Sequence, residues 1–317
     1  MSRILPHCRV VPLPDDQVSF TIGGQEVTRW HFGRRYPRPF FYPLIGPSGQ
    51  PLTRIGHPGA PNHDHHRSIW FAHQKVLGID FWSDQTEARI RQLGWMAYQD
   101  GDDRAVMAVR LGWFDGHDPR PLLEQEVVAA VRPAAPTKTI ASPYPEVIFD
   151  LQSRLMSTSA TLELGQTNFG LLAVRVAASI SEYFGGGRLT SSEGDQGEKD
   201  IFGKPARWMD YSGPVAEGRS ASLDTNGITY FDHPSNPGFP AGWHVREDGW
   251  MEASLTMNGP LELRREAPLT VRYRLLGHAG PADRERWDKV ADEFAQEPAY
   301  RVEPAGGVNH TQYVVRQ

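Results

Sequence analysis

Five of the chain's twelve histidines fall between His57 and His73, four of them in the stretch His57-Pro-Gly-Ala-Pro-Asn-His63-Asp-His65-His66-Arg67. Random placement of twelve histidines in 317 residues would put fewer than one in that window. Imidazole changes charge near neutral pH, so a cluster of it suits general acid–base catalysis or metal ligation. The Pro and Gly residues mark a loop, and loops on rigid scaffolds are where binding and catalytic groups tend to sit. In an extended segment His63 and His65 share one face while Asp64 and His66 share the other. That spacing offers two imidazoles to a metal, or one imidazole with a carboxylate to orient it. The bland alternative is a solvated polar loop.

Three further groupings stand out. Trp70-Phe71 and Phe81-Trp82 follow the histidine loop. Phe71 and Phe81 read as core, whereas Trp70 and Trp82 also suit stacking against a sugar ring. A polar concentration from Thr190 to Tyr211 holds Glu193, Lys204, Arg207, Trp208, Asp210 and Tyr211. Another, from Tyr230 to Arg246, places His233, Asn236 and His244 around a Pro-rich turn. Because all three segments gather ionisable groups on Gly/Pro-rich chain, His65, His66, Arg67, Glu193, Asp210 and His233 are expected to line one cleft. Lys204, Arg207, Trp208, Tyr211, Asn236 and His244 would meet the substrate there, with Arg67, Trp70 and Trp82. A metal-dependent variant would use His63, His65, His66 and His233. No metal or cofactor is expected, because His65 and His66 would point apart on an extended segment and Arg67 adds positive charge beside them.

Composition narrows the classes. A net charge of -5 with no basic stripe argues against nucleic acid. No apolar run approaches the ~20 residues that cross a bilayer, so no membrane partner is expected. The opening MSRILPHCRVVPLPDD lacks the apolar core of a secretory signal, and a single cysteine, Cys8, leaves no disulfide framework. A cytoplasmic protein follows as the expectation, with homo-oligomerisation left open. Neither a phosphate-binding G-x-x-x-x-G-K-[ST], nor a dinucleotide fingerprint, H-E-x-x-H or G-x-S-x-G occurs. What remains is His, Asp, Glu and Arg on loops, an inventory for acid–base chemistry or a metal-assisted form of it.

The elements that must hold these loops are strands. Gly 31 and Pro 26 are high for a helical protein and natural for many short strands joined by turns. Strand-like runs include Val18–Ile22, Phe40–Ile45, Ala105–Trp113, Gln125–Val131, Val147–Ser153, Ala160–Leu164, Leu171–Ile180, Ile228–Phe231, Trp250–Thr256 and Leu269–Leu276, and Arg207–Tyr211 also reads as a strand. Val271-Arg-Tyr-Arg-Leu alternates as a strand with one wet face does. Gly23-Gly24 reads as the turn of an opening hairpin. One helix is expected near 283–297, where Trp287, Val290, Ala291 and Phe294 recur at helical spacing before Pro298. Arg132–Pro136 is the best candidate boundary, but strand-like sequence continues on both sides. An all-β chain is expected, one large antiparallel β-sandwich over residues 1–317 with a C-terminal helix.

Several segments together resemble the bacterial PmoA-like family. They are Arg38-Pro-Phe-Phe-Tyr-Pro-Leu, Asp64-His65-His66-Arg67 with Trp70-Phe71, Gly78-Ile-Asp-Phe-Trp82, Ser192-Glu193-Gly194, Phe202 to Gly213, and Phe231-Asp-His-Pro-Ser-Asn236. The methane-oxygenase label attached to that family describes a multi-helix membrane subunit, for which this chain has no span. The family's genes lie beside sugar oxidoreductases and transporters, so the resemblance implies carbohydrate catabolism. Asn62-His63 departs from the family's acidic-His-Pro lead-in, which weakens a role for His63 relative to His65 and His66. The strand-rich pattern is also similar to the galactose-mutarotase-like supersandwich. By that likeness His66 or His233 would be the acid and Glu193 or Asp210 the base, on a mono- or disaccharide and conceivably a keto sugar. Epimerisation, lyase cleavage and hydrolysis fit equally. The alternatives are a metal-dependent enzyme and a non-catalytic sugar-binding module.

Overall fold

The computed structural model describes residues 5–57, 63–135, 142, 144–215, 224–306 and 312–317. Asn62 and Pro136 lie outside the described residues. Two eight-stranded antiparallel sheets form the body of the described chain. The first runs in the order β1 (Cys8–Leu13), β2 (Gln17–Ile22), β3 (Gln25–His31), β4 (Phe40–Leu44), β5 (Ile69–His73), β11 (Gly170–Arg175), β16 (Trp250–Ser254) and β15 (Gly242–Arg246). The second runs β12 (Arg188–Ser191), β13 (Trp208–Pro214), β14 (Thr225–Asp232), β18 (Leu269–Ala279), β9 (Val147–Ser157), β8 (Leu123–Pro133), β7 (Ala105–Phe114) and β6 (Arg89–Gln99). Two short ladders, β10 (Thr161–Leu164) with β17 (Leu261–Arg264) and β19 (Arg301–Pro304) with β20 (Tyr313–Arg316), complete it. Helices are few: α1 (Glu182–Gly185), α2 (Glu198–Ile201) and α3 (Arg284–Gln296). The fold is the expected all-β sandwich with a C-terminal helix. Among the described residues no helix is long and apolar enough to cross a membrane.

Local chemistry explains the elements. Gly23 and Gly24 both take positive φ (57° and 81°), the conformation a two-residue hairpin turn requires between β2 and β3. On β18, Val271, Tyr273 and Leu275 enter an apolar cluster shared with strands of both sheets. The expected wet face of β18 is not wet: Arg272 and Arg274 are buried. The Arg274 guanidinium holds Asp150 at 2.6 and 3.0 Å and Glu297 at 2.7 Å, because α3 and the chain after it cover this side. Asp283 caps α3 by accepting from the Arg286 N–H, and Trp287, Ala291 and Phe294 pack on Trp208, Phe231 and Leu276. The run Leu171–Ile180 is not one strand. β11 ends at Arg175, and residues 178–180 form a single 3-10 turn once Ala177 donates to Leu52 instead of a ladder partner. At Arg132–Pro136 the described chain stays in one sheet, since β8 pairs with β9 through Pro133 and Ala134 donates to Glu146.

Trp287 is fully buried between α3 and the second sheet. Replacing it by Ala should lower the unfolding free energy by roughly 3–5 kcal/mol, the range for deleting a buried aromatic. Urea unfolding of the variant against the parent checks this, and a loss under about 1 kcal/mol would show that α3 is not anchored there.

Candidate functional site

The pocket is built on the face of the first sheet that points away from the core. Strand alternation sends Leu172, Val174, Met251, Ala253, Trp243 and Val245 inward. The same alternation puts Trp70, Ala173, Arg175, Trp250, Glu252, His244 and Arg246 on the other face. Register lines them up, with Trp70 opposite Ala173, Ala173 opposite Glu252, and Glu252 opposite His244. Such a face is commonly solvated in an antiparallel sheet. Here Trp70, Trp250, Glu252 and His244 are all buried. Two loops cover them. The Asp80 carboxylate accepts from the N–H groups of Trp82 and Ser83 at 2.6 and 3.0 Å, a turn that lays Trp82 5.5 Å from Trp70 and 5.1 Å from Trp250 between ring centroids. The other loop carries the histidines.

A cavity of about 690 Å³ opens above this floor, walled by His57, His63, His65, His66, Trp82 and His244 and edged by Phe169, Tyr183, Phe184, Glu198, Asp248 and Trp250. The histidine segment is not extended. His66 N–H donates to the His63 carbonyl at 3.0 Å, closing a turn. That turn brings the His65 and His66 rings to 4.2 Å and His63 and His66 to 5.1 Å between centroids, so the two neighbours do not point apart. Even so, among the described residues no group of three His, Cys, Asp or Glu side chains is disposed to hold a metal ion.

Burial sets the protonation states. It pushes the His65 imidazole down to about 4, helped by the Arg38 charge and opposed by Asp84. It pushes His66 further below the ordinary value, with His65 and Arg175 adding to the effect, and lowers His63 with His57 contributing. His244 is held at about 4 by burial and then by Arg246. Its Nδ1 lies 3.0 Å from the Asn168 carbonyl, which can only accept, so Nδ1 carries the proton and Nε2 presents a bare lone pair. Glu252, fully buried, is raised well above the ordinary carboxyl value; one oxygen accepts from the Gly170 N–H and the other lies 3.9 Å from His244 Nδ1. For Asp248, burial acts upward, but the Arg175 hydrogen bonds and charge outweigh it and hold the carboxyl below its ordinary value. His57 Nε2 stands 3.4 Å from Asp248.

Six buried polar atoms in and under this floor have no hydrogen-bond partner among the described residues: His66 Nδ1, His244 Nε2, Glu252 Oε2 and the indole nitrogens of Trp70, Trp82 and Trp250. Most of the guanidiniums, in contrast, are held on carboxylates, while Arg54 donates to the Asp248 carbonyl. Arg175 holds Asp248, Arg246 holds Glu198, and Arg38 and Arg67 share Asp84.

Of the residues singled out in the sequence, the cavity gathers His63, His65, His66, Trp82 and His244. All three polar segments reach the cavity, the first through His63, His65 and His66, the second through Glu198 and the third through His244 and Arg246, but Arg67, Glu193, Asp210 and His233 do not line it. Glu193 is exposed and accepts from the Ser192 hydroxyl. Asp210 is buried on the second sheet, held by Thr229 at 2.7 Å and His278 at 2.8 Å. His233 packs against Phe294 of α3, accepting from Arg272 at Nε2 (2.8 Å). Asn236 binds Asp232 and the Arg272 backbone there, and Trp208 and Arg207 reach Asp288 and Asp292 of α3. Tyr211 lies in the core with its hydroxyl on the Arg246 carbonyl, and Lys204 is an exposed partner of Asp195. Arg67 is clamped on Asp84, and Trp70 sits beneath the lining. Sequence reasoning missed His57 as a site residue, along with Glu198, Asp248, Trp250 and Glu252. The alternation Trp250-Met-Glu252-Ala-Ser was the available signal, because it sets a carboxyl and an indole on one face of a strand.

The fold and site define an all-β protein with a histidine-walled pocket on the outer face of one sheet of a sandwich. A family of unknown function (DUF6807) matches residues 17–292, and the chain belongs to that family. No curated protein matches it.

A histidine whose folded pKa lies below its ordinary 6.5 contributes stability that is present above 6.5 and lost as pH falls toward the folded value. For His65 and His244 the window runs from 6.5 down to about 4. Glu252, raised, acts in the opposite sense, losing stability as pH rises. The double variant His65→Gln/His244→Gln should therefore lose less stability than the parent between pH 7 and pH 4.5. Urea melts at both pH values decide it, and equal losses would mean these imidazoles are not held neutral by the fold.

Proposed function

We propose that this protein is a carbohydrate-active enzyme that moves protons on a neutral mono- or disaccharide, acting by epimerisation, elimination or hydrolysis. The observation that carries the reading is the set of buried neutral imidazoles and indole N–H groups without partners among the described residues, around one cavity where Arg38, Arg67, Arg175 and Arg246 are each held on a carboxylate. Unpaired buried polar atoms cost about 1–3 kcal/mol each, a penalty that a ligand rich in hydroxyls would relieve. The pairing of those four guanidiniums favours a neutral ligand over a phosphate or carboxylate. Indole faces pack well on the C–H face of a sugar ring.

The imidazoles have a defined use. At neutral pH they are uncharged and able to accept a proton, and the imidazolium so formed, with a pKa near 4 for His65 or His244, returns it readily. Such a base is weak, so it needs an acidified proton. A keto sugar supplies one, because the carbonyl acidifies the neighbouring C–H and stabilises the resulting enolate. The proton taken up by one imidazole, passed to a neighbouring ring and returned to the other face of the enolate, then gives epimerisation, while its delivery to a departing β-substituent gives elimination. The resemblance of the sequence to the PmoA-like family and to mutarotase-like sandwiches points the same way.

Purified protein offered a panel of neutral sugars and their 3-keto derivatives should turn over at least one, read by NMR in deuterated water. His65→Gln and His66→Gln should each cut kcat by about a hundredfold or more, the scale of lost general acid–base catalysis. Their thermal midpoints should stay within a few degrees of the parent. Exhaustive chelation should leave turnover unchanged; loss restored by zinc would favour a metal-dependent enzyme built on His63, His65 and His66. Binding without turnover would favour a sugar-binding module.

A further inference from the structure

The mouth of the cavity differs in character from its floor. Tyr183, Phe184 and Phe202 are 67%, 45% and 41% exposed, three of the five large exposed aromatic side chains among the described residues. Tyr183 and Phe184 line the cavity itself, and Phe202 stands edge-on to His244 at 5.3 Å between centroids. Scattered surface apolar residues need no explanation, but a group at the rim of one pocket does. Nor are these rings loose. Ser181 caps α1 by accepting from the Phe184 N–H, and Tyr183 N–H donates to Glu247 at 2.9 Å. The Arg54 guanidinium lies 5.2 Å over Phe184 and that of Arg246 5.2 Å over Phe202. Aromatic rings fixed in advance lose little conformational freedom when they bind, so their contact area converts efficiently into affinity.

We propose that Tyr183, Phe184 and Phe202 form an outer subsite that stacks a second sugar ring, so that the preferred ligand is a disaccharide with its inner ring among the histidines. This rests on the carbohydrate reading above. Three features select a second pyranose over other occupants. The rim is continuous with the cavity, so whatever stacks there is joined to what sits below. At about 690 Å³ the cavity is of the size that takes a drug-sized molecule, more than one six-membered ring fills. Two carboxylates of the lining, Glu198 and Asp248, are held by Arg246 and Arg175, so the aromatic rim stands beside paired charges. A flat, neutral ring with an apolar face and polar edges matches that surface.

Isothermal titration of the full chain with matched pairs, each a disaccharide and the methyl glycoside of its inner sugar, tests the subsite. The disaccharide of a recognised pair should bind about five- to tenfold tighter, the range of one good ring-stacking contact. The double variant Tyr183→Ser/Phe184→Ser should bring that ratio near one, and Phe202→Ser, on a separate segment, should lower it independently. Equal binding of both members of every recognised pair, or a ratio unchanged in folded variants, overturns the outer subsite and leaves the carbohydrate reading standing. No binding by any member of any pair overturns both.

Discussion

A single guanidinium without access to water holds the site together. Arg175 is fully buried on β11, and its two terminal nitrogens grip Asp248 at 2.8 and 3.2 Å. Its backbone N–H donates to Ser68 at 2.6 Å and its carbonyl accepts from Arg54 at 3.2 Å, so one residue fastens the strand, both ends of the histidine loop and the β15–β16 turn. Ser68 has φ of 60°, a left-handed backbone that costs a non-glycine residue energy and persists only when its surroundings fix it. The Ser68 hydroxyl on Thr53 at 2.8 Å and the Arg175 contact are that fixing. The same charge lowers His63 and His66 and keeps Asp248 ionised beside His57. Removing one half of a buried ion pair costs roughly 3–5 kcal/mol, because the other charge is left uncompensated. Position therefore depends on one residue, and protonation on burial, to which the Arg175 charge adds at His63 and His66.

That dependence explains how neutral imidazoles can be packed so close. Protonated rings 4.2 Å apart, as His65 and His66 are, would repel one another strongly in a low-dielectric setting. Burial removes the difficulty by removing the charge, and the Arg175 field reinforces it. The consequence is chemical as well as structural. A cluster that cannot stay charged can carry a proton only briefly, which restricts it to reactions where the proton is soon returned or leaves with a product. Stable ion pairing to an anionic ligand is outside its repertoire.

How much of this was legible depended on whether local pattern or long-range contact decided the outcome. Gly23-Gly24, the β18 alternation and the Trp287/Ala291/Phe294 spacing are local signals, and the hairpin, strand and helix stand where those signals put them. The histidine cluster was legible by composition alone. Its conformation was not, because the His63–His66 turn breaks the extended reading that would have separated the rings. Glu252 was hidden for another reason. A carboxyl in a strand normally reads as solvent-facing, and only the two covering loops, distant in sequence, turn that face into an interior. Asp210, His233 and Asn236 misled in the opposite direction. Their polarity answers to partners on β14 and β18, which no spacing within their own segments reveals.

The two outer faces of the sandwich make the distinction general. Both carry buried charge, and both look alike in sequence as polar residues alternating with apolar ones. On the second sheet the charge is consumed. Arg274 is shared between Asp150 and Glu297, Arg272 between His233 and the Pro298 carbonyl, and Asp210 takes Thr229 and His278. The leftover atoms there, Asp210 Oδ1, His278 Nδ1 and Trp287 Nε1, are buried, with the Trp287 ring tilted 4.6 Å from His278. On the first sheet most charges are paired as well, but the neutral donors and acceptors without partners among the described residues lie beside an open cavity. A cavity beside such groups lets ordered water or a ligand supply the partners. Polarity in the sequence therefore marks both faces, and the open cavity beside unsatisfied groups is what sets the first apart as the candidate binding site.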